Sequence, residues 1–462
     1  MYITTTIPYV NARPHLGFAL EIVQADVLAR HYRRREPVRF QTGTDDNSLK
    51  NVLAAEAANV PVQEFVDRNA AAFEALREPL ALSFDAFVRT SRDPSHRAGV
   101  ERLWRAAEHD VYQRSYEGLY CVGCEAFSTE DTCPEHGGPL QKVSEKNWFF
   151  RLSRYQDELK ALIADGRLRI EPAARRNEVL SFIDAGLQDI SISRSQERAR
   201  GWGIPVPGDP SQVIYVWWDA LANYVTALDD YERWWANGRK IHLVGKGVIR
   251  FHAVYWPAML LSAGQPLPTE IYVHDYLTVD GRKISKSSGA TADPAELAAR
   301  YGTDAVRWWL LREVPRVGDA DFTEVRLAAR HDEDLANGLG NLVKRVVTMV
   351  HRFCDGHVPD VLVPDVLVPD VEERVHAALE EFDFRAAAAA VWSIVEEANK
   401  YIEREQPWKQ ADPRVALATL VHACRTLAVQ LEDLLPGAAA RVAAQVTGER
   451  LPAPAPLFPR LL

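Results

Sequence analysis

The length, composition and charge of the chain set the first limits on its class. It has 462 residues, of which 47% are hydrophobic and 26% charged, and its formal net charge is -10. This composition excludes disordered and fibrous proteins, and the length predicts about three domains. The acidic balance argues against non-specific nucleic-acid binding, although the arginines between positions 30 and 35 form either a local basic face or a solvated helix end.

The cysteines and the N-terminus bear on the cellular compartment. Five cysteines, three of them between positions 121 and 133, indicate metal ligands in a reducing compartment rather than a disulfide framework. Cys354 and Cys424 are expected to be packed thiols. The sequence contains no signal peptide and no apolar stretch that could span a bilayer, so we expect a cytoplasmic protein with no membrane partner.

The N-terminal segment, residues 1–111, opens with a βαβ pattern typical of a Rossmann-type α/β domain. YITTTIPYV is predicted to be a strand, FALEIVQADVLARHYRR an amphipathic helix, and VRFQTGTDD a second buried strand. A parallel sheet of this kind binds its ligand beyond the carboxyl ends of the strands. We therefore expect the site residues near those ends.

The rest of the chain is predicted to comprise four further segments. Residues 112–200 form a connective insertion, because short strands, cysteines, Gly and Pro interrupt the alternation; 201–265, where the rhythm resumes at QVIYVWWDALANYV, form the second Rossmann half. Residues 266–330 form a linker domain and 331–462 a helical domain. Within the latter, VPDVLVPDVLVPDV at 358–371 is predicted to be a surface linker, since its prolines cannot continue a helix, with a binding segment as the alternative.

Two short segments suit phosphate chemistry. In PHLG at 14–17, Gly17 permits close backbone approach, the helix start offers free amides, and His15 can donate to a phosphate. In VDGRKISKSSGA, Lys283 and Lys286 flank serines in a loop that can close over a triphosphate and neutralise the leaving pyrophosphate. Either segment alone has a structural alternative, but the pair in this order on a split sheet is specific.

The cysteine cluster has the spacing of a metal site. The pattern provides four soft ligands in two tight turns, the arrangement that tetrahedral zinc requires. Because the set leaves no open position, it predicts a structural rather than a catalytic site. The predicted ligands are Cys121, Cys124, Cys133 and His136.

Over nearly its whole length the chain resembles the methionyl-tRNA synthetases, a branch of the class I aminoacyl-tRNA synthetases. The matching runs are TTTIPYVNARPHLG, QTGTD, YEGLYCVGCEAF, NWFFRLS, ISRS, WGIPVPGD, YVWWDALANY, RFHAVYWPAMLLS, GRKISKS, YGTDAVRWWLL and DLANGLGNLVKR. The resemblance implies a Rossmann-type sheet split by a zinc-binding insertion and followed by an anticodon-binding-like helical bundle. It also implies adenylation of an amino acid by ATP with Mg²⁺ and transfer to tRNA, without a covalent enzyme intermediate.

The resemblance assigns roles to individual residues. The expected ATP-binding residues are His15, Gly17, Glu21, Gly245, Lys283, Ser285, Lys286 and Ser287, with His15, Lys283 and Lys286 as the catalytic set. Asp45 would hold the α-ammonium and Arg194 would fix its rotamer, unless the two form only a structural ion pair. The expected side-chain pocket consists of Ile7, Tyr9, Trp217, Ala220, Leu221, Tyr224, Phe251, His252 and Trp256. An aromatic pocket with one hydroxyl and one imidazole suits a thioether, which favours methionine.

In the helical third, the run NKYIEREQPWKQ places Trp408 where the family stacks an aromatic ring on an anticodon base. The alternative is a capping aromatic in the helical core.

Three departures from the family pattern surround the expected active site. Phe18 stands where the first signature ends in a second histidine, Gly247 replaces an aspartate, and Asn47 and Ser48 replace a histidine and a glycine after Asp46. Loss of one preorganised donor typically costs on the order of 10²–10³ in rate. Glu21 remains as a partner for the nucleotide ribose.

Three functions are compatible with this pattern. The first is a methionine-tRNA ligase. The second is a tRNA-independent enzyme of natural-product biosynthesis, like the activating portion of hydrazine synthetases, with a cupin-type partner protein. The third is a non-catalytic tRNA-binding paralogue, against which the intact lysine loop argues.

Overall fold

The computed structural model describes residues 1–121, 126–128, 132, 140–279, 281–284, 292–363 and 367–461. The chain divides into two compact units. The first unit comprises Met1–Arg13, Val38–Ala75 and Phe84–Val273; the second comprises Pro14–Pro37, Leu76–Ser83 and His274–Leu462. Among the helices of the described ranges, none is long and apolar enough to cross a membrane.

The strands of the described residues are, in chain order, β1 (Tyr2–Thr5), β2 (Arg39–Thr44), β3 (Ala86–Arg89), β4 (Val111–Cys121), β5 (Ala126–Ser128), β6 (Gln141–Phe150), β7 (Arg169–Glu171), β8 (Ile190–Ser191), β9 (Ser193–Ser195), β10 (Pro205–Val206), β11 (Asp209–Ile214), β12 (Lys240–Gly245), β13 (Glu270–His274), β14 (Leu277–Val279), β15 (Arg282–Lys283) and β16 (Ala320–Asp321).

The α-helices are α1 (Leu16–Arg33), α2 (Leu49–Ala57), α3 (Val62–Glu74), α4 (Pro94–Ala106), α5 (Gln156–Ala164), α6 (Ala173–Asp184), α7 (Val216–Thr226), α8 (Trp256–Ser262), α9 (Pro294–Tyr301), α10 (Thr303–Arg312), α11 (Glu324–Arg330), α12 (Asn341–Cys354), α13 (Val371–Glu380), α14 (Phe384–Glu405), α15 (Arg414–Leu431) and α16 (Pro436–Val446). Shorter helical turns include the π-helical segment Phe251–Tyr255 and the 3₁₀ segments Lys246–Val248 and Pro407–Lys409.

The first unit is built on a six-stranded sheet in the order β3-β2-β1-β12-β13-β7. Strand β1 pairs in parallel with β2 and β12, β2 with β3, and β13 with β7. Every residue of β1 is buried, as expected for a strand covered on both faces. The predicted α/β class and parallel sheet are confirmed, and the sheet is split in sequence because β12 follows β3 only after a long intervening segment.

Two strands depart from the predicted order. The rhythm was expected to resume in the parallel sheet at QVIYV, but β11 pairs antiparallel with β9, with Val213 opposite Arg194, in a separate three-stranded sheet. The parallel sheet resumes at β12 instead. Strand β7, which lies inside the predicted insertion, pairs in parallel with β13 and extends the sheet at its edge. A short apolar run predicts a strand, but its partner depends on contacts distant in sequence.

The second unit is predominantly helical, as predicted for the last third of the chain, and it includes α1. The described part of the proline repeat joins α12 to α13, and Leu362 is 90% exposed, as a surface linker requires. The repeat residues 364–366 lie outside the described residues.

The arginines at the end of α1 form neither of the two arrangements expected from the sequence. Their side chains bond to groups of the second unit: Arg30 to Asp26 and the Ala81 carbonyl, Arg33 to Ser83, Arg34 to Asp433, and Arg35 to Glu372. These cations are therefore neither a free basic face nor a solvated helix end. They fasten α1 to its neighbours in the second unit.

Candidate active site

Several residues of the predicted side-chain pocket lie together in the first unit. Trp217, Ala220, Leu221 and Tyr224 lie on one face of α7, because positions three, four and seven apart share a helix face. The ring of Phe251 stacks on that of Trp217, with centroids 3.7 Å apart and planes inclined by 5°, and Tyr9 meets Trp217 edge-on at 6.2 Å. The structure thus brings residues from three separate segments into one aromatic cluster, as the resemblance implies.

His252 and Tyr224 form the polar element of this pocket. The Nδ1 atom of His252 lies 2.9 Å from the Val248 carbonyl, which can only accept, so Nδ1 carries a proton. In the neutral ring Nε2 is then an acceptor. The Tyr224 hydroxyl lies 2.8 Å from this Nε2 and 3.2 Å from the Thr5 carbonyl, and it can donate its single proton to either acceptor. The hydrogen-bond direction of this pair is therefore fixed at Nδ1 of His252.

A second histidine lies beneath this pair. The ring of His242 is fully buried, lies 4.2 Å from the Tyr224 ring, and its Nδ1 is 2.6 Å from the Thr4 hydroxyl. Burial, followed by the nearby His252 and Lys240, holds the pKa of His242 well below its usual value. His242 is therefore uncharged at neutral pH, and its ring packs against the ring of Tyr224.

Asp45 lies directly after β2, at the carboxyl edge of the sheet where the sequence placed it. It is buried and forms a parallel bridge with Tyr9. Its Oδ1 atom accepts from the backbone N–H of Asn47 at 3.1 Å, and its carbonyl accepts from the Asn51 side chain at 2.9 Å. The carboxylate is thus held in one rotamer by its own loop, next to the aromatic cluster.

Arg194, the predicted partner of Asp45, lies on β9. Its Nη1 donates to the Ser193 carbonyl at 2.7 Å and its guanidinium lies 4.3 Å from the centre of the Tyr215 ring. These contacts fix the guanidinium inside the first unit. Its pairing with Asp45 stays a prediction.

The three residues that follow Asp45, including the departures Asn47 and Ser48, each have defined contacts in the local structure. Asp46 forms a 2.8 Å ion pair with Arg89, although burial raises its pKa. Asn47 donates through Nδ2 to Asp219 at 2.7 Å. Ser48 accepts from the Lys50 amide and caps α2. The loop is therefore internally bonded rather than disrupted.

The first nucleotide segment lies at the start of α1 in the second unit. His15 is the N-cap, and its Nδ1 accepts from the Gly17 amide at 3.1 Å. The proton of the neutral ring is therefore on Nε2, the atom that can donate to a phosphate. A Cβ atom at position 17 would lie 3.0 Å from both Cε1 and Nδ1 of His15, so Gly17 makes room for that ring.

One expectation about this turn was wrong. The first amides of α1 are already bonded within the protein: that of Leu16 to the Ala292 carbonyl at 3.0 Å, that of Gly17 to His15, and that of Phe18 to the His15 carbonyl at 3.0 Å. The His15 side chain folds back and caps its own helix, so the Gly17 amide is already hydrogen-bonded. Phe18 is only 7% exposed and packs as a core residue.

The structure describes three of the remaining predicted nucleotide-binding residues, namely Glu21, Gly245 and Lys283. Glu21, on α1, pairs with His274 Nε2 at 2.9 Å in the buried part of the second unit, so its ribose contact stays a prediction. Gly245 ends β12. Lys283 ends β15, while Ser285, Lys286 and Ser287 lie outside the described residues. The base of that hairpin is held by Asp321, which accepts from the Gly281 amide at 3.0 Å.

Comparison with known proteins places the chain in a family. The family described as tRNA synthetases class I (M) matches residues 1–142 and 135–347. The methionine-tRNA ligase of Brucella suis biovar 1 is 37% identical, over 99% of this chain and 97% of the relative. This chain belongs to the methionyl-tRNA synthetases. The relative from Synechocystis sp. is 40% identical over 96% of this chain and 89% of its own length.

A solved methionyl-tRNA synthetase has the same fold. The Mycobacterium tuberculosis enzyme bound by methionyl-adenylate superimposes with a TM-score of 0.92 and 38% identity, covering 99% of each chain. The natural-product alternative and its cupin partner have no support among these relatives.

Two further predicted sites of this methionyl-tRNA synthetase belong to other parts of the chain. Trp408 sits on the turn Pro407–Lys409 and is 42% exposed, so the alternative of a core aromatic is wrong. Cys121 is buried at the end of β4, whereas Cys124, Cys133 and His136 lie outside the described residues. Among the residues that are described, no group of three side chains could hold a metal.

Four residues around the pocket were not predicted from the sequence. Thr4 and His242 support Tyr224, and His96 and Asp219 bond to each other at 2.6 Å beneath the Asp45 loop. Buried histidines in otherwise apolar strands and helices are the only signal that could have indicated them. Their partners lie more than a hundred residues away in sequence.

Proposed function

We propose that this protein is a methionine-tRNA ligase, which activates methionine with ATP and transfers the methionyl group to tRNA. The observation that carries the proposal is the pocket: a stacked aromatic cluster with one Tyr-His pair beside a buried carboxylate. The near full-length similarity to methionine-tRNA ligases supports the same function. The relatives do not favour a tRNA-independent acceptor.

The amino acid would be held by residues of the first unit. Asp45 accepts from the α-ammonium, since a buried carboxylate in a fixed rotamer is a strong acceptor for charged donors. Trp217, Phe251 and Tyr224 surround the side chain, and a thioether gains favourable contacts with ring faces and edges. Because the Tyr224 hydroxyl is already hydrogen-bonded within the protein, the pocket disfavours substrate side chains that need a strong donor.

The first chemical step would use ATP, bound as its Mg²⁺ complex. A carboxylate oxygen of methionine attacks the α-phosphorus, the bond to the bridging oxygen breaks, and pyrophosphate leaves. His15 donates from Nε2 to a phosphate oxygen, and Lys283 and Lys286 neutralise charge on the leaving group. In the second step a 3′-terminal tRNA hydroxyl attacks the carbonyl carbon and AMP leaves.

The proposed organisation follows the sequence boundaries. Amino-acid and ATP chemistry belongs to 1–111 and 201–265, the zinc insertion to 112–200, the lysine loop to 266–330, and anticodon recognition to 331–462. Trp408, an exposed ring, is the proposed stacking residue. Replacing Trp408 by Ala should abolish tRNA charging but leave pyrophosphate exchange unchanged.

The zinc proposal rests on the chemistry of the donor set, three thiols and one imidazole at zinc spacing. Cys121 contributes a buried thiol where β4 pairs with Ala126 of β5. Elemental analysis of the purified protein should find one zinc per chain, and Cys124→Ser should lose it. Protein without zinc in both forms would overturn this assignment.

The function is tested by ATP-pyrophosphate exchange with each amino acid, followed by aminoacylation of purified tRNA. Methionine should support exchange, and initiator or elongator methionine tRNA should be charged. Lys286→Ala should abolish exchange, whereas Lys160→Ala, which removes an exposed lysine paired with Asp184, should not. Exchange with another amino acid and no charging would contradict the proposal.

A further inference from the structure

A continuous hydrogen-bond chain runs beneath the proposed ammonium site. His96 on α4 lies 2.6 Å through Nε2 from Asp219 Oδ1 on α7. The other oxygen, Asp219 Oδ2, accepts from the Asn47 side chain at 2.7 Å, and the Asn47 backbone N–H donates to Asp45 at 3.1 Å. This hydrogen-bond chain therefore connects α4 and α7 to the carboxylate proposed to hold the substrate.

Each oxygen of the Asp219 carboxylate has its own polar partner. Asp219 is only 1% exposed, so its carboxylate requires a donor at each oxygen. His96 Nε2 lies against one oxygen, and the other ring nitrogen of His96 lies 2.7 Å from the Thr226 hydroxyl, in a hydrogen bond that either atom can donate. The Nδ2 of Asn47 donates to the other oxygen. Because a side-chain amide has no ionisable proton, Asn47 itself stays uncharged in this link.

We propose that Asn47 and Asp219 are positioning residues for amino-acid binding. The hydrogen bond from the Asn47 side chain to Asp219 fixes the loop, and the backbone N–H of Asn47 then holds Asp45 in the rotamer that accepts the α-ammonium. The inference rests on the proposed function, in which Asp45 binds the amino acid. Asn47 stands where the resemblance places a histidine, so the clamp in this chain uses an uncharged donor.

A purely structural role is the competing explanation, since the same bonds join α4, α7 and the loop. The two roles differ in what they change. A structural bond affects the unfolding temperature and all kinetic parameters together. A positioning bond raises the KM for the amino acid while the KM for ATP stays constant.

The first test compares Asn47→Ala and Asp219→Asn with Asn237→Ala, an exposed asparagine of the same unit, in pyrophosphate exchange. Loss of one hydrogen bond to a charged group should raise the KM for methionine about 10-fold to 100-fold. The KM for ATP should stay within about 2-fold of wild type. An unchanged KM for methionine with a lowered unfolding temperature would overturn the proposal.

The second test uses Asn47→Asp, which has the same shape but places a carboxylate against Asp219. The nearby charged or titratable groups are Asp45, Asp46 with its partner Arg89, and His96. All of these groups are also present in the wild-type protein, so their effects cancel in the ratio of variant to wild-type KM. A pH dependence of this ratio therefore reports on position 47. That ratio should fall by about 10-fold or more between about pH 8 and pH 6, where a partly buried carboxyl beside a like charge becomes protonated and can donate.

The controls separate this inference from the proposed function. Asn237→Asp adds the same charge at the surface and should show no pH-dependent ratio. If wild type exchanges with a different amino acid, the proposed substrate is wrong, and the same variants are compared with that amino acid. If Asp45→Asn leaves the amino-acid KM unchanged, or the Asn47→Asp ratio is flat with pH, the positioning role is overturned.

Discussion

Replacing Gly17 by Ala should weaken catalysis while leaving the protein at least as stable. The new Cβ would lie 3.0 Å from Cε1 and Nδ1 of His15, against an ordinary contact of about 3.5–4.0 Å. The imidazole must therefore move by a few tenths of an ångström. A displacement near 1 Å costs about 10²-fold in rate, and a smaller displacement costs less. Since alanine is favoured over glycine within a helix by up to about 1 kcal/mol, stability should not fall.

The assay is the kcat/KM for ATP in pyrophosphate exchange, measured together with denaturant unfolding. We expect a loss of up to about 10-fold in this kcat/KM, without a lower midpoint of unfolding. The double variant Gly17→Ala with His15→Ala should match His15→Ala alone, because the displaced ring is then absent. Full activity in Gly17→Ala, or an additive loss in the double variant, would refute the steric argument.

Three further predictions concern stability, the pocket and a thiol. Asp26→Asn leaves the buried guanidinium of Arg307 without its 2.8 Å partner and should lower the free energy of unfolding by about 3–5 kcal/mol in denaturant titration. Burial opposes ionisation of Asp26, but Arg307, Arg30 and the hydrogen bond from Ser83 together outweigh it and lower the pKa of Asp26, so this contribution is present at neutral pH and lost as the pH falls through the folded value. His242→Phe and Thr4→Val should each raise the KM for methionine about 5-fold to 10-fold, with no further rise when combined; additive effects would mean that their 2.6 Å bond is unimportant. Burial raises the pKa of Cys424 to about 12, so a thiol reagent should react with equally many groups in native wild type and Cys424→Ala; one fewer in the variant would contradict this burial.

The fold was predictable where local sequence carries the information. The strand YITTT and the helix that follows it appear as β1 and α1, and the last third is helical. Strand β11 was expected in the parallel sheet, and the residues of β7 were expected within the insertion. Both expectations were wrong, since the residues indicate extended structure but not which strand they pair with. Pairing is decided by neighbours that are distant along the chain.

The candidate site was likewise only partly predictable. The residues at positions 15, 45, 217, 224 and 252 could be selected as site candidates, because their motifs are contiguous in sequence. Their hydrogen-bond directions were not, since these depend on groups such as the Val248 carbonyl.

By itself, the sequence determined the α/β class and the family, and it predicted the aromatic pocket and the two nucleotide segments, because each depends on short runs of residues with a fixed spacing. Tertiary structure alone decided that Gly17 accommodates a histidine ring, that the arginines of α1 are bonded internally, and that Asn47 joins Asp45 to Asp219. Each of these outcomes depends on distances between atoms from separate segments, and such distances are fixed only when the segments pack together.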